Sequence, residues 1–162
     1  MGQTRRRHGG LQMRKKMLDT LLGISDPWHA RGLEVDMVRK LVEVRVDFTI
    51  GTRFPVSGAD GIHPVHDTTE RTFRTLDLSG FQCFIKARLP RVKLPNGQVI
   101  LAKPKWAGKL VGFTLKFEAM ILVFAAVMPL SRVAELTKTS DHSVRTIVKR
   151  YADLAEAKAT RS

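Results

Sequence analysis

Apolar residues recur with different periods along the chain, and the changes of period predict its elements. Leu11, Met13, Met17, Leu18, Leu21 and Leu22 stand at helical spacing and stop at Gly23, which predicts a short helix over residues 10–22 behind a loose arm formed by residues 1–9. From Arg31 onward the period falls to two. LEVDMV and LVEVRVDF alternate apolar with polar residues across Arg39 and Lys40, as a hairpin does, and a half-buried antiparallel sheet is expected. Residues 51–61 are rich in Gly, Pro, Ser and Asp and read as loop. RTFRTLDL and FQCFIKARL then form a second hairpin across Ser79-Gly80, and Leu94-Pro-Asn-Gly97 turns the chain into a short strand, QVILA.

After Trp106 the period becomes 3.6 and three helices follow. The first, residues 113–127, is apolar nearly all round and is expected to be buried, with Pro129 as its stop. Ser131 is the expected cap of a helix over residues 132–137. Thr139 or Ser140 caps a third over residues 141–157, with Val144, Ile147, Val148 and Tyr151 on one face. Two capped helices joined by a short polar turn, behind a buried helix, are the helix-turn-helix arrangement. No internal repeat or low-complexity segment is evident.

Charge adds a partner to this outline. The 162 residues carry 28 Lys and Arg against 15 Asp and Glu, a formal charge of +13, which points to a polyanion: nucleic acid first, an anionic membrane second. The excess sits at the ends. Residues 1–25 hold six basic side chains against one acidic, residues 26–100 eleven against nine, and residues 101–162 eleven against five. The longest apolar stretch, residues 119–130, is shorter than a bilayer crossing needs and follows Lys116 and Glu118, so no membrane span is expected. The N-terminus lacks the apolar run and cleavage site of a signal peptide, and Arg6 stands where a myristoylation signal prefers Ser or Thr. One cysteine, Cys83, allows no intrachain disulfide and suits a reducing cytoplasm, with association to the nucleoid.

Candidate chemistry concentrates in the last helix. If Val144, Ile147, Val148 and Tyr151 face the core, then His142, Ser143, Arg145, Thr146, Lys149 and Arg150 lie on or near the outer face, as donors for base edges and phosphates. An ordinary amphipathic helix with a solvated charged face fits the same spacing. Arg5, Arg6, Arg7, Lys15 and Lys16 suit a phosphate-tracking or minor-groove arm, or a solvated one. A further basic line interleaves Arg91, Lys93, Lys103, Lys105 and Lys109 with Trp106, fitting backbone contact or a packed linker. His63 and His66, with Asp60 and Asp67 near, come closest to a metal pair, but a hydrogen-bonded loop is the expectation there and no metal or cofactor is assigned. Cys83, between Phe81 and Phe84 in a strand, reads as a buried inert thiol. No phosphate-binding glycine loop, nucleophile elbow or metalloprotease helix appears.

The run PVHDTTERTFRTLDLSGFQCFIKARLPRVKLPNG, followed by GFTLKFEAMILVFAAVMPLSRVAELTKTSDHSVRTIVKRY, resembles the N-terminal region of ISL-three type insertion-sequence transposases over residues 26–154. That resemblance implies a zinc ribbon and a helix-turn-helix ahead of a catalytic domain with an acidic metal-binding triad. Two departures qualify it. Where the family has a C-P-x-C-G knuckle this chain reads Phe54-Pro55-Val56-Ser57-Gly58-Ala59, with Val56 and Ala59 in place of thiolates. The second knuckle is shortened to Leu94-Pro95-Asn96-Gly97, so Leu94 and Asn96 also replace metal ligands; Val56 and Leu94 are expected to pack as an apolar plug. The chain stops at Ser162, where the family continues into its catalytic domain, so no triad carries over.

The expected fold is therefore α+β: a basic N-terminal arm and helix over residues 1–25, a β-rich zinc-ribbon-like module without zinc over 26–108, and a helix-turn-helix domain over 109–162. The expected function is sequence-directed binding of double-stranded DNA without catalysis, as regulator or competitor at terminal repeats. A catalytic transposase or another protein chain is left open as a second partner, and so is oligomeric state. The alternative is a basic structural or interaction protein of a larger assembly, coating RNA or recruiting an enzyme.

Overall fold

The computed structural model describes residues 4–161, of which residues 4–9 and 11 are described by backbone alone. The chain divides into two compact units, Met1–Ala107 and Gly108–Ser162. The first is built from α1 (Thr4–Leu22) and seven strands: β1 (Trp28–Asp36), β2 (Leu41–Phe48), β3 (Arg53–Val56), β4 (Ala59–Pro64), β5 (Asp67–Leu78), β6 (Phe81–Lys93) and β7 (Val99–Leu101). The second holds α2 (Leu115–Ala125), α3 (Leu130–Thr137) and α4 (Asp141–Ala159).

Both expected hairpins form, but the sheet that joins them is mixed rather than antiparallel. Its order is β1-β2-β6-β5, with β7 also on β6, and β2 runs parallel to β6 in the register Leu41↔Gln82 to Val46↔Ala87. The reason lies in composition. β6 buries Cys83, Ile85, Ala87, Leu89 and Val92, whereas β5 opens with the polar run Asp67-Thr-Thr-Glu-Arg, so β6 takes the central place and β5 the edge. Ser79 and Gly80 both have positive φ, 48° and 82°, the backbone that a two-residue turn requires between twisted strands.

β1 starts earlier than the alternation predicts, because a bulge between Ala30 and Gly32 shifts the phase and hides the buried Trp28 and Ala30. Residues 51–61, expected as loop, instead contribute the ribbon β3–β4, which turns at Gly58 with φ 83°. Strands this short carry too few apolar positions to show alternation; Phe54 is the ribbon's one buried apolar residue, with Val56 and Ala59 packed against the core beside it. α1 likewise exceeds its expected length, starting at Thr4 where a loose arm was expected. The helix runs through Gly9 and Gly10 although each costs it roughly 1 kcal/mol relative to alanine.

Val42, Val44 and Val46 of β2 lie in register with Cys83, Ile85 and Ala87 of β6, and together they form the buried face of the sheet. An aromatic cluster closes one end of this core. Trp28 meets Phe48 at 5.6 Å and Trp106 at 5.8 Å between ring centroids, Phe54 meets Phe48 at 5.2 Å, and Phe73 meets Trp106 at 5.0 Å. Trp106 therefore packs inside, which settles the packed-linker reading for that side chain. α1 is tied to the strand beside it by Asp19, whose carboxylate accepts the Ala30 N–H at 2.7 Å.

The opposite sheet face is an array of ion pairs. The Asp47 carboxylate, 8% exposed, meets Arg31 at 3.1 Å and Arg88 at 3.2 Å. Burial works against its charge, yet the Phe48 N–H and the two guanidinium groups outweigh that and hold its carboxyl below the usual range. Arg45 pairs with Glu34 at 2.7 Å and Lys86 with Glu70 at 3.4 Å.

In the second unit Phe117, Ile121, Val133, Ala134, Val144 and Ile147 form the core. α2 buries one face only, since Val123 on its other side is largely exposed, which corrects the expectation of a helix buried all round. It is also shorter than expected, with Thr114 as its cap, accepting from the Phe117 N–H at 3.2 Å. Pro129, not Ser131, caps α3: its carbonyl accepts from Arg132 and Val133, because proline's extended backbone already ends the preceding segment and Leu130 can start the next helix at once. Ser140 caps α4 through the Ser143 N–H at 3.1 Å.

Candidate nucleic-acid interface

The turn between α3 and α4 is built from Thr137, Lys138, Thr139 and Ser140. Lys138 takes the left-handed conformation, φ 51°, and its N–H and that of Thr139 return to the carbonyls of Glu135 and Ala134, closing α3. The buried Thr137 hydroxyl donates to the Val133 carbonyl at 2.8 Å, so the turn is fixed from inside. α4 leaves this turn with Val144 and Ile147 fully buried against α2 and α3.

Helical geometry then decides what faces outward. His142, Arg145, Lys149 and Arg150 are exposed and Ser143 and Thr146 half-buried, so one helix brings together all six residues singled out on it. Two of them are already engaged: the Ser143 hydroxyl accepts from Ser140, and the Thr146 hydroxyl donates to the His142 carbonyl at 2.7 Å. No ion pair engages His142, Arg145, Lys149 or Arg150 among the described residues, so these donors face solvent. The remaining basic candidates belong to the first unit. Lys16, Lys103 and Lys105 are exposed there and Lys15 is half-buried, while the side chains of Arg5, Arg6 and Arg7 lie outside the described residues.

Periodicity does not disclose the polar centre of this unit. Glu118, on the buried side of α2, is 0% exposed, and its carboxylate accepts the Lys109 N–H at 2.7 Å, the Leu110 N–H at 2.9 Å and the Tyr151 hydroxyl at 2.8 Å. Gly108 makes room for it: a Cβ there would stand 2.5–2.6 Å from all three carboxyl atoms. The available signal was an acidic residue at a core position of an apolar helix, in the run Gly-Phe-Thr-Leu-Lys-Phe-Glu.

Burial, then the hydrogen bond and charge of Glu118, push the Tyr151 hydroxyl up to about 12. Tyr151 is the chain's single tyrosine, so tyrosinate absorbance reads it alone. The folded protein is expected to titrate with a midpoint near pH 12. The raised value means that Tyr151 contributes its stability in full below about pH 10 and loses it as pH rises through the folded value. A midpoint near 10 with the helices intact would show the hydroxyl to be solvated.

The other candidates stay apart from α4. Cys83 is fully buried, and burial, with Asp77 adding to it and Arg74 opposing, pushes its thiol up to about 11, which leaves it unreactive. His63 lies opposite Phe54 in the β3–β4 ribbon, and among the described residues no group of three or more His, Cys, Asp or Glu side chains is placed to hold a metal ion. No helix is long and apolar enough to cross a membrane among those residues.

Capped helices packed on a third, with a tight turn and an outward row of donors on the last, define a helix-turn-helix unit. Residues 102–152 match the helix-turn-helix domain of transposase family ISL3, so this region of the chain is similar to that domain, and DNA is the partner such a domain implies. The match takes in α2, α3 and most of α4; the sheet before it lies outside the matched residues. No curated protein and no solved structure matches the chain.

Proposed function

We propose that this chain binds double-stranded DNA in a sequence-directed way, reading bases with the first turns of α4 at sites like the terminal repeats of a related mobile element. It acts there as a regulator or competitor, without strand cleavage of its own. The observation that carries this reading is the outward row His142, Ser143, Arg145 and Thr146 on the last helix of an ISL3-type domain, followed by Lys149 and Arg150. Arg5, Arg6, Arg7, Lys15, Lys16, Lys103 and Lys105 supply phosphate contacts. The sheet is the poorer nucleic-acid surface: Arg31, Arg45, Lys86 and Arg88 are paired with carboxylates, and the Arg74 guanidinium lies 5.7 Å from the centre of the Phe84 ring, which limits its use for base stacking.

The strand-rich module is proposed to be a zinc ribbon that has exchanged its metal for apolar packing. Val56 stands opposite Ala59 across β3–β4, both pack against the first core, and Leu94 is buried in that core. Aliphatic groups at these places offer zinc no ligand.

Selection from random duplexes, followed by titration of the selected site and of random DNA at several salt concentrations, tests both parts. Alanine at Arg145 is expected to cost about 1–3 kcal/mol on the selected site and little on random duplex. Alanine at Lys103 or Lys105 is expected to weaken all sequences alike and to lower the log-log salt slope by about 0.9. Dialysis against a chelator is expected to change neither result. If no duplex is preferred over random DNA, the recognition reading fails and the assembly-protein alternative takes its place.

A further inference from the structure

We propose that Glu118 is a positioning residue for DNA reading, which holds α4 and the basic segment at Lys109 in one fixed arrangement; this rests on the reading of α4 as the recognition helix. The carboxylate sits on α2, whose one basic residue is Lys116. Its bonds go to two other places. Two backbone N–H groups, of Lys109 and Leu110, fix the segment that opens the helical unit, and the Tyr151 hydroxyl fixes α4 three turns beyond its cap. A buried carboxylate satisfied by three donors is directional: each donor has one place where it compensates the charge, so displacement of either element leaves charge unpaired. Apolar packing of Val144 and Ile147 lacks that property, since aliphatic contacts change little with small rotations of the helix.

Tyr151 looks back into the unit while the reading residues look out. Arg145 and Lys149 lie on the same helix as Tyr151, so a helix that rotates or slides when the hydroxyl is released carries them with it. Lys109 is exposed, and its backbone is held by the same carboxylate. Glu118 thus sets the solvent-facing cations of two segments, Lys109 on one and Arg145 and Lys149 on the other, relative to one another without meeting DNA itself.

The test uses the full chain with Tyr151→Phe, which removes one oxygen and keeps the ring, and Glu118→Gln as a second variant should larger changes unfold the unit. The readouts are the ratio of affinities for selected and random duplex, the salt slope, and amide exchange at Lys109 and Leu110. Tyr151→Phe is expected to lower the affinity ratio about tenfold, the size of one lost hydrogen bond to a charged group. Random-duplex affinity and salt slope are expected to stay unchanged, while the Lys109 and Leu110 amides exchange faster. Adding Tyr151→Phe to Glu118→Gln is expected to give no further loss. A merely structural role would weaken both duplexes alike by lowering the folded fraction, and that outcome overturns the proposal, as does a ratio within about twofold of the unaltered protein. A preference absent already in the unaltered protein overturns the recognition reading and this inference together; a preference present there and kept in Tyr151→Phe overturns this inference alone.

Discussion

Replacement of Gly108 by alanine is expected to destabilise the helical unit by about 3–5 kcal/mol, the cost of breaking a buried charged network. The added methyl would stand 2.5 Å from the Glu118 carboxyl carbon and one oxygen and 2.6 Å from the other. Relief by the far end of a mobile side chain is not open, because this carboxylate is fully buried and held by Lys109, Leu110 and Tyr151. Either the carboxylate moves and forfeits its donors, or the backbone at residue 108 moves and takes the two N–H groups with it. Urea unfolding followed by far-ultraviolet circular dichroism measures the cost. A loss below about 1 kcal/mol would mean that the segment yields freely and that the packing there is loose.

Trp28→Ala is expected to be as damaging to the first unit, at about 3–5 kcal/mol for a large aromatic truncated in a core. Trp28 is 5% exposed and touches Phe48, Phe54 and Trp106, so the change opens a cavity at the centre of the cluster and removes three ring contacts at once. A domain with a total stability of about 5–15 kcal/mol has little left after such a loss. Emission of the remaining tryptophan, Trp106, reports the outcome, with its red shift moving to lower denaturant. Trp28→Phe keeps much of the volume and is expected to cost markedly less. Equal midpoints for Trp28→Ala and the unaltered protein would remove the cluster from the core.

Much of this architecture is written in the hydrophobic pattern, and the exceptions share a cause. β2, β5 and β6 were legible because each carries several alternations between recognisable turns, and α4 because its four apolar residues leave only one outward face. β3 and β4 were not legible: their segment has the composition of a loop, and Phe54, Val56 and Ala59 are too few and too close together to show which face they bury. The parallel placing of β2 beside β6 is a matter of which hairpin strand is the more apolar, a comparison between distant segments that no local window makes. Glu118 is the sharper case. Periodicity treats a carboxylate as an outward-facing group, and Glu118 becomes intelligible only when the donors nine residues before it and thirty-three after it are brought to it by the fold. On α4 the outer row stood where spacing placed it, since an amphipathic helix has few ways to lie.

The parallel pairing of β2 with β6 also bears on how the chain is made. Leu41, already paired with Asp36 across the first hairpin, finds its parallel partner in Gln82, with a hairpin ribbon and β5 between them, and Trp106 closes the aromatic cluster later still. Closing so long a loop costs entropy before any contact compensates it, which makes such sheets slow to form. During synthesis the first unit therefore waits, its apolar strands uncovered, until residues beyond β7 have emerged. The helical unit closes over short stretches of chain, α2 to α3 to α4, and has no comparable wait. The helical unit is thus synthesised after the sheet and is the quicker to assemble, while the sheet ahead of it passes through the longer period in which an exposed strand can find the wrong neighbour.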